Sequence, residues 1–166
     1  MWVYEQQTDF WGRVLAARAG LRTSQQTLDE LALDTDAVTN RSDREWKTLA
    51  DSTLDVLYVP GYTVAWRDWR RRENYYPEGI LLWIDVDAHL RDLSRGKSGL
   101  DDFAHIFFAT RGNLEAISTY NFADVWGALN QLVPADWEGL LNRQSANPRH
   151  RCGDGLACPH RLAAYV

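Results

Sequence analysis

The sequence has few of the features that direct a chain into a membrane, into secretion or onto nucleic acid. No run of about 18 apolar residues occurs, so no transmembrane segment is predicted. No basic n-region follows Met1, so no signal peptide is predicted and a cytoplasmic location is the default expectation. The formal net charge is -5, and the only basic tract is Arg70–Arg72. Because nucleic-acid binding needs a basic face against the phosphates, neither nucleic acid nor a membrane is an expected partner.

Cysteine is scarce as well. Cys152 and Cys158 are the only two, and both lie near the C-terminal end, where they indicate little about redox compartment. With His150 and His160 they form a short set of four metal-ligand residues, although the spacing within each pair is tighter than in zinc fingers. Three interpretations stay open: a structural zinc site, a Cys152–Cys158 disulfide, or an unstructured tail.

What the sequence does contain is enough apolar material for one folded domain. The 166 residues are 45% hydrophobic and 25% charged, which is ordinary globular composition. Apolar residues recur mainly at helical spacing, which predicts a mainly α fold, a single helical domain of about five to six helices. No internal repeat occurs. We expect the helical part to span residues 1–144 and an irregular tail to span residues 145–166, where glycine and proline interrupt the pattern.

Capping residues and glycines set the expected helix limits. Helices are predicted over about Trp2–Ala19, Thr23–Thr39 and Tyr75–Leu93, followed by helices that begin at Ser98, Asn121 and Pro134. Ser98 and Asn121 each have an aspartate three residues later, which is the spacing of an N-terminal capping pair. Between Asn40 and Trp69 the pattern is irregular, and only a short strand at Val56–Val59 is indicated.

The strongest helical pattern begins at Tyr75-Tyr76-Pro77-Glu78-Gly79. The small and apolar residues that share one face of this helix are Gly79, Trp83, Val86, Leu90 and Leu93. A glycine inside a helix costs stability, so Gly79 indicates that something packs closely against it. Two tyrosines ahead of this glycine fit two interpretations, the wall of an active site or a core helix with an aromatic plug.

Three motifs occur in order along the chain: Trp2-Val3-Tyr4-Glu5-Gln6-Gln7-Thr8, Tyr75-Tyr76-Pro77-Glu78-Gly79, and Gly96-Lys97-Ser98-Gly99-Leu100-Asp101-Asp102-Phe103. Together they resemble the glycyl aminopeptidase family, zinc peptidases (gluzincins) with a thermolysin-like catalytic domain and usually a PDZ domain behind it. The resemblance runs from Trp2 to about Leu141. It implies that the fold is the C-terminal helical subdomain of such a catalytic domain, without its β-rich part.

The resemblance implies roles for four residues. Glu5 matches the glutamate that serves as the third zinc ligand, after the two histidines of an H-E-x-x-H helix. Tyr76 matches the tyrosine that donates a hydrogen bond to the oxyanion formed at the scissile carbonyl. Tyr75 is the alternative if the register shifts by one, and otherwise packs beside the substrate site. Gly79 would let its helix approach the substrate channel closely.

The sequence departs from this family at the metal site. No H-E-x-x-H occurs, because the histidines are His89, His105, His150 and His160 and none has a second histidine four residues away. The family's general-base glutamate is missing with them. One carboxylate cannot hold zinc tightly. We therefore expect zinc and a peptide substrate for the full-length family, but no tightly bound metal and no peptidase activity for this fragment or remnant alone.

A second hypothesis is a freestanding helical interaction module without catalysis. Without the β-rich part, the helix that carries Glu5 and the central helix should expose apolar surface. Homo-oligomer formation through that surface is therefore expected under either hypothesis.

Asp85 and Asp87 have a structural rather than a catalytic interpretation. Carboxylates two residues apart on a helix point in different directions, so they cannot flank one bond. We expect Asp85 to form an i,i+4 pair with His89 and Asp87 one with Arg91, each worth a few tenths of a kcal/mol when exposed.

Overall fold

The computed structural model describes residues 2–58, 74–109 and 118–146. Within these ranges the chain is mainly α-helical and contains no β-strand, as the sequence pattern predicts. The helices are α1 (Trp2–Arg18), α2 (Ser24–Thr39), α3 (Leu49–Tyr58), α4 (Tyr75–Ser94), α5 (Leu100–Ala104), α6 (Phe122–Leu132) and α7 (Trp137–Ala146). A 3-10 turn at Ser42–Glu45 precedes α3, and a π-helical segment at His105–Ala109 continues α5. None of the described helices is long and apolar enough to cross a lipid bilayer.

The limits of α1 and α2 lie close to the predicted ones because local capping sets them. α1 ends in a Schellman motif: Gly20 has φ 71°, and the Leu21 N–H bonds to the Ala16 carbonyl at 3.0 Å. Thr23 caps α2, since its Oγ1 accepts the Gln26 N–H at 3.2 Å while Gln26 Oε1 accepts the Thr23 N–H at 2.9 Å.

The predicted strand at Val56–Val59 is wrong, because its described residues belong to helix α3. Thr48 begins this helix: its Oγ1 accepts the Asp51 N–H at 3.0 Å and donates to the Asp51 carboxylate at 2.6 Å. The Thr-x-x-Asp spacing is an N-capping signal that the irregular pattern around it obscured. α3 is therefore an additional helix in a stretch where irregular structure was expected.

Helix α4 matches the predicted central helix and is buried along most of its length. Every residue from Glu78 to Asp87 is buried, and Trp83 has no exposed surface. Burial therefore extends around the helix rather than along the single predicted face. Leu93, which the pattern placed on that face, is 53% exposed because it lies in the last turn.

The N-terminus of α5 is capped one residue later than the predicted Ser98–Asp101 pair. Gly99 is the N-cap residue, and its N–H bonds to Asp102 Oδ2 at 2.9 Å. Glycine has no side chain with which to cap, and Asp87 of α4 takes that role, since its Oδ1 accepts the Leu100 N–H at 2.6 Å. A Cβ on Gly99 would lie 2.9 Å from the same Asp87 oxygen, which explains why glycine stands there.

The last two helices differ in how well the sequence located them. Asn121 caps α6 as predicted, with its Oδ1 accepting the Asp124 N–H at 3.1 Å. Helix α7 begins after Pro134 rather than at it. The cap is Asp136, whose Oδ1 accepts the Gly139 N–H at 2.9 Å, so the helix starts where a side chain can satisfy its first N–H groups.

The chain divides into two compact units, residues 1–85 with 144–166 and residues 86–143. In the first unit α1 contacts α2 and α3; in the second, α5 and the π-helical segment contact α6. Buried apolar side chains of the first unit include Val3, Phe10, Leu31, Val38, Leu49, Tyr75 and Ile80. Those of the second include Leu90, Leu100, Phe103, Phe107, Val125, Leu129, Trp137 and Leu141. All residues of the candidate site belong to the first unit.

Two predicted features lie outside the described residues. They are the basic tract Arg70–Arg72 and the tail set of His150, Cys152, Cys158 and His160. The proposed boundary between residues 144 and 145 stays a prediction, although α7 continues through Ala146.

Candidate functional site

The first turns of α1 and α4 meet at a hydrogen bond between the two residues expected to carry chemistry. Tyr76 Oη donates to Glu5 Oε2 at 2.9 Å. The two residues lie 71 positions apart in the sequence, so only the tertiary fold brings them together. Both side chains are half-buried.

Glu5 stands on the border between the buried and the exposed faces of α1. Gln6 and Gln7 beside it are buried, whereas Tyr4 and Thr8 are exposed. Glu5 also lies in the first turn of the helix, where the positive end of the helix dipole favours a carboxylate. Its position thus combines partial access from solvent with a fixed orientation towards Tyr76.

Tyr76 is held as a neutral phenol. Burial raises the pKa of this phenol above its usual 10.0, and the hydrogen bond to Glu5, which only the protonated form can donate, raises it further. Tyr75 also contributes to the raised pKa. The Tyr76 hydroxyl therefore keeps its proton at neutral pH and is available as a hydrogen-bond donor.

Tyr75 is a buried neighbour of this phenol. It is 3% exposed, and its ring centroid lies 4.6 Å from that of Tyr76 with the planes tilted by 39°. Aromatic packing of this kind restricts the orientation of the Tyr76 ring. The predicted contact of Tyr75 with a substrate stays a prediction.

Gly79 has the close neighbour that its sequence context indicated, and that neighbour is Gln6. A Cβ added to Gly79 would overlap the Gln6 side chain, so α1 and α4 approach each other closely at this point. Gln6 is fully buried, and neither of its amide atoms has a hydrogen-bond partner within the described ranges. Gly79 thus permits the helix contact that places Glu5 beside Tyr76; its predicted role beside a substrate channel stays a prediction.

A buried polar contact fixes the chain immediately before Tyr75. Asn74 Nδ2 donates to Asp43 Oδ2 at 2.8 Å, and Arg41 Nε donates to the same oxygen at 2.9 Å. Asp43 is fully buried and Asn74 nearly so. Sequence analysis missed this contact, because neither residue has a periodic or motif signal that would link positions so far apart.

The residues around Glu5 do not by themselves suit a tightly held metal ion. Within the part of the chain that the structure describes, no group of three His, Cys, Asp or Glu side chains is placed to hold one. Catalytic zinc takes three protein ligands, so a single carboxylate is insufficient. No step of a hydrolytic reaction through zinc is therefore assigned to these residues.

The carboxylates of Asp85 and Asp87 are both buried. Asp87 does pair with Arg91, at 2.5 Å between Oδ2 and Nε. Asp85 Oδ2 accepts a hydrogen bond from Gln144 Nε2 at 2.7 Å. These contacts support the structural interpretation of the two aspartates.

Comparison with protein-family models gives a match for the first part of the chain. Residues 1–82 match the family model described as M61 glycyl aminopeptidase. The matched range includes the motifs that contain Glu5 and Tyr76 and ends before the third motif at Gly96. A search of curated proteins finds no match.

Proposed function

The chain belongs to the M61 glycyl aminopeptidase family over residues 1–82, and from this premise we propose that it carries one part of a zinc-dependent aminopeptidase site. In this proposal Glu5 corresponds to the family's third zinc ligand, and Tyr76 is the donor that stabilises the oxyanion during peptide-bond hydrolysis. Tyr75 and Gly79 line the side of the site that receives the substrate.

The observation that carries this proposal is the hydrogen bond between Tyr76 and Glu5. Two residues that the family resemblance singled out independently, on different helices, are in direct contact. Their contact places a carboxylate and a protonated phenol at one partly exposed location, which the first turns of α1 and α4 form.

Tyr76 has the properties that oxyanion stabilisation needs. Its raised pKa keeps the hydroxyl protonated, and its ring is held by the buried Tyr75. A hydrogen-bond donor at the oxyanion is commonly worth ~3 kcal/mol of transition-state stabilisation, less the free energy of the Glu5 hydrogen bond that Tyr76 gives up. Glu5 holds the hydroxyl when no substrate is present, and the donor turns to the oxyanion when a substrate carbonyl is bound.

This chain by itself is proposed to be inactive. No H-E-x-x-H occurs in the 166 residues, so the two histidine ligands and the general base of the family have no counterparts. Zinc is the cofactor that the family implies, and a complete site would need ligands from another polypeptide or segment.

Metal content and turnover test the proposal on the purified chain. We expect well below one zinc per chain after equilibration with zinc, and no hydrolysis of glycyl p-nitroanilide. Stoichiometric zinc that disappears in Glu5→Ala, or turnover that disappears in Tyr76→Phe, would overturn the claim of an incomplete site. Zinc lost only in Cys152→Ser or Cys158→Ser would belong to the tail and leave the claim intact.

A complementation assay tests the positive half of the proposal. The chain is mixed with a separately produced polypeptide that carries the H-E-x-x-H half of an M61 glycyl aminopeptidase. Zinc-dependent hydrolysis should appear in the mixture and fall at least tenfold with Glu5→Ala or Tyr76→Phe. Thr8→Ala, an exposed change one turn from Glu5, is the matched control. If a stable complex forms but both site variants hydrolyse as well as the original chain, the assigned roles are wrong.

The second candidate function, a helical interaction module, is favoured by the exposed face of α1. Tyr4, Trp11 and Leu15 lie on one side of this helix at i, i+7 and i+11. Tyr4 is 61% and Leu15 is 54% exposed, and Trp11 is half-exposed. A second copy of this chain that packs along this face would cover them, which supports homo-oligomer formation.

Light scattering coupled to size-exclusion chromatography tests the association. The chain should elute as a dimer or larger species, and Leu15→Glu should shift it to a monomer. Leu33→Glu, the same change at a 70% exposed leucine of α2, serves as the control. A monomer at about 100 μM would exclude this interaction mode, because the dissociation constant of a stable interface lies well below that concentration.

A further inference from the structure

Asn74 is the last residue before α4, and it is tied to a distant part of the chain. Its carbonyl accepts the Glu78 N–H at 3.0 Å, the first helical hydrogen bond of α4. Its side-chain amide donates to Asp43 Oδ2, which lies in the 3-10 turn between α2 and α3. The start of α4 is therefore held from two directions, by its own backbone and by a buried carboxylate 31 residues away.

We propose that Asp43 and Asn74 are positioning residues for the Glu5–Tyr76 pair. Tyr76 follows Asn74 by two residues, so a shift or rotation of the first turn of α4 moves the phenol directly. A 2.9 Å hydrogen bond tolerates little displacement before it weakens. The Asp43–Asn74 hydrogen bond limits such displacement because both of its residues are buried.

Asp43 is suited to this role by its own fixation. Its side chain has no exposed surface, its Oδ2 pairs with Arg41 Nε at 2.9 Å, and its carbonyl accepts the Lys47 N–H at 3.3 Å, whereas its Oδ1 has no hydrogen-bond partner within the described residues. Burial of a carboxylate lowers the stability of the fold unless the carboxylate is paired and hydrogen-bonded. Removal of one partner leaves that desolvation penalty without compensation. Because only Oδ2 of Asp43 is satisfied, loss of the Asn74 hydrogen bond would leave this buried charge still less compensated, which favours keeping the start of α4 in place.

The inference depends on the proposed function only for the role of the Glu5–Tyr76 pair in hydrolysis. The geometry of the pair can be measured without metal, partner or turnover. A failure of the peptidase proposal in the complementation assay would therefore leave this inference standing, and its own failure would be seen in a different experiment.

NMR of the chain labelled with 13C at the tyrosine Cζ position tests the inference. The resonance of Tyr76 is assigned as the one missing in Tyr76→Phe, and its response to Glu5→Gln reports the hydrogen bond. Asn74→Asp places a second carboxylate against Asp43, and the Tyr76 resonance should shift as a result. The further shift that Glu5→Gln causes in this variant should be at most half of the shift that it causes in the original chain. The double variant Asp43→Asn/Asn74→Asp exchanges donor and acceptor, and it should restore both the position and the response.

Ser52→Ala is the matched control, since it removes a buried hydrogen bond of the same unit without touching the anchor. If Ser52→Ala moves the Tyr76 resonance as far as Asn74→Asp does, the effect is general loosening and the inference is wrong. Where Asn74→Asp fails to keep its helical circular dichroism, Asn74→Ser replaces it, and the same loss of response is required. An unchanged response in a folded Asn74 variant would also overturn the inference.

Discussion

Gly79 of α4 packs directly on the side chain of Gln6 in α1, at a distance that leaves no room for a Cβ. This contact lies one residue from Glu5 and three residues from Tyr76 along their helices. The close approach of the two helices therefore decides whether the carboxylate and the phenol can meet.

Gly79→Ala should lower the free energy of unfolding by about 2 kcal/mol, because overpacking a filled site costs ~1–3 kcal/mol. In a Gln6→Gly background, which also removes the Gln6 Cβ that lies 2.5 Å from the added Cβ, the same change should be neutral or stabilising, since alanine exceeds glycine in helix propensity by about 1 kcal/mol. Urea unfolding of the four proteins of this cycle measures the difference. Gly12→Ala in α1 is the control, because a Cβ there meets nothing within 4 Å and should stabilise the chain. Equal costs of Gly79→Ala in both backgrounds would show that Gln6 is not the obstacle.

The buried Asp87 carboxylate caps α5 from a neighbouring helix, and its removal should be costly. Asp87→Ala leaves the Leu100 N–H without its acceptor and removes the ion pair with Arg91, and should cost about 2–3 kcal/mol of unfolding free energy. Asp87→Asn keeps an acceptor oxygen for Leu100 and should cost about half as much. Thermal and urea unfolding provide the measurement.

Lys97→Ala tests whether the Asp87 effect is specific. This exposed side chain lies in the same connection between α4 and α5, and its replacement should change stability by less than about 0.5 kcal/mol. A cost for Asp87→Ala as small as that of the control would contradict a capping role.

Asp34 should give the stability of the chain a measurable pH dependence. Burial raises the pKa of this carboxyl above its usual 3.8, the ion pair with Arg13 offsets part of the rise, and Asp9 adds to it. The folded state therefore binds the proton more tightly than the unfolded state does. Protonation favours folding, so the contribution of Asp34 to stability is largest below about pH 4 and declines as pH rises through the folded-state pKa.

Comparison with Asp34→Asn isolates this contribution. The free energy of unfolding of the original chain minus that of Asp34→Asn should decrease between about pH 4 and pH 7 in urea titrations. Arg13 also lies near Glu30, at 3.8 Å, so Glu30→Gln is measured in parallel to separate the two carboxylates. A difference that increases over this range would mean that the Arg13 charge outweighs burial.

Glu5 and Tyr76 should be energetically coupled as well as in contact. Tyr76→Phe and Glu5→Ala should each lower the free energy of unfolding by about 1 kcal/mol, the usual net value of one hydrogen bond at a partly exposed location. Because both changes remove the same bond, the double variant should cost clearly less than the sum of the two. Strict additivity in urea unfolding would show that the contact contributes nothing to the folded state.

Local signals in the sequence located most of the helices. The capping pair at Thr23 and the glycine at Gly20 act through hydrogen bonds within a few residues, so the chain around them is sufficient to predict them. The cap of α5 was misplaced for the opposite reason. Its acceptor, Asp87, comes from another helix, and no local pattern connects it to Leu100.

The candidate site shows the same division. The sequence by itself determined a mainly helical chain, the identity of Glu5 and Tyr76 as residues of interest, and the need for a small residue at position 79. The tertiary structure alone decided that Tyr76 donates to Glu5, that Gln6 is the neighbour of Gly79, and that Asp43 holds the start of α4. The physical reason is that periodicity and capping act over one or two helical turns, whereas these three contacts depend on how separate helices and turns pack against each other.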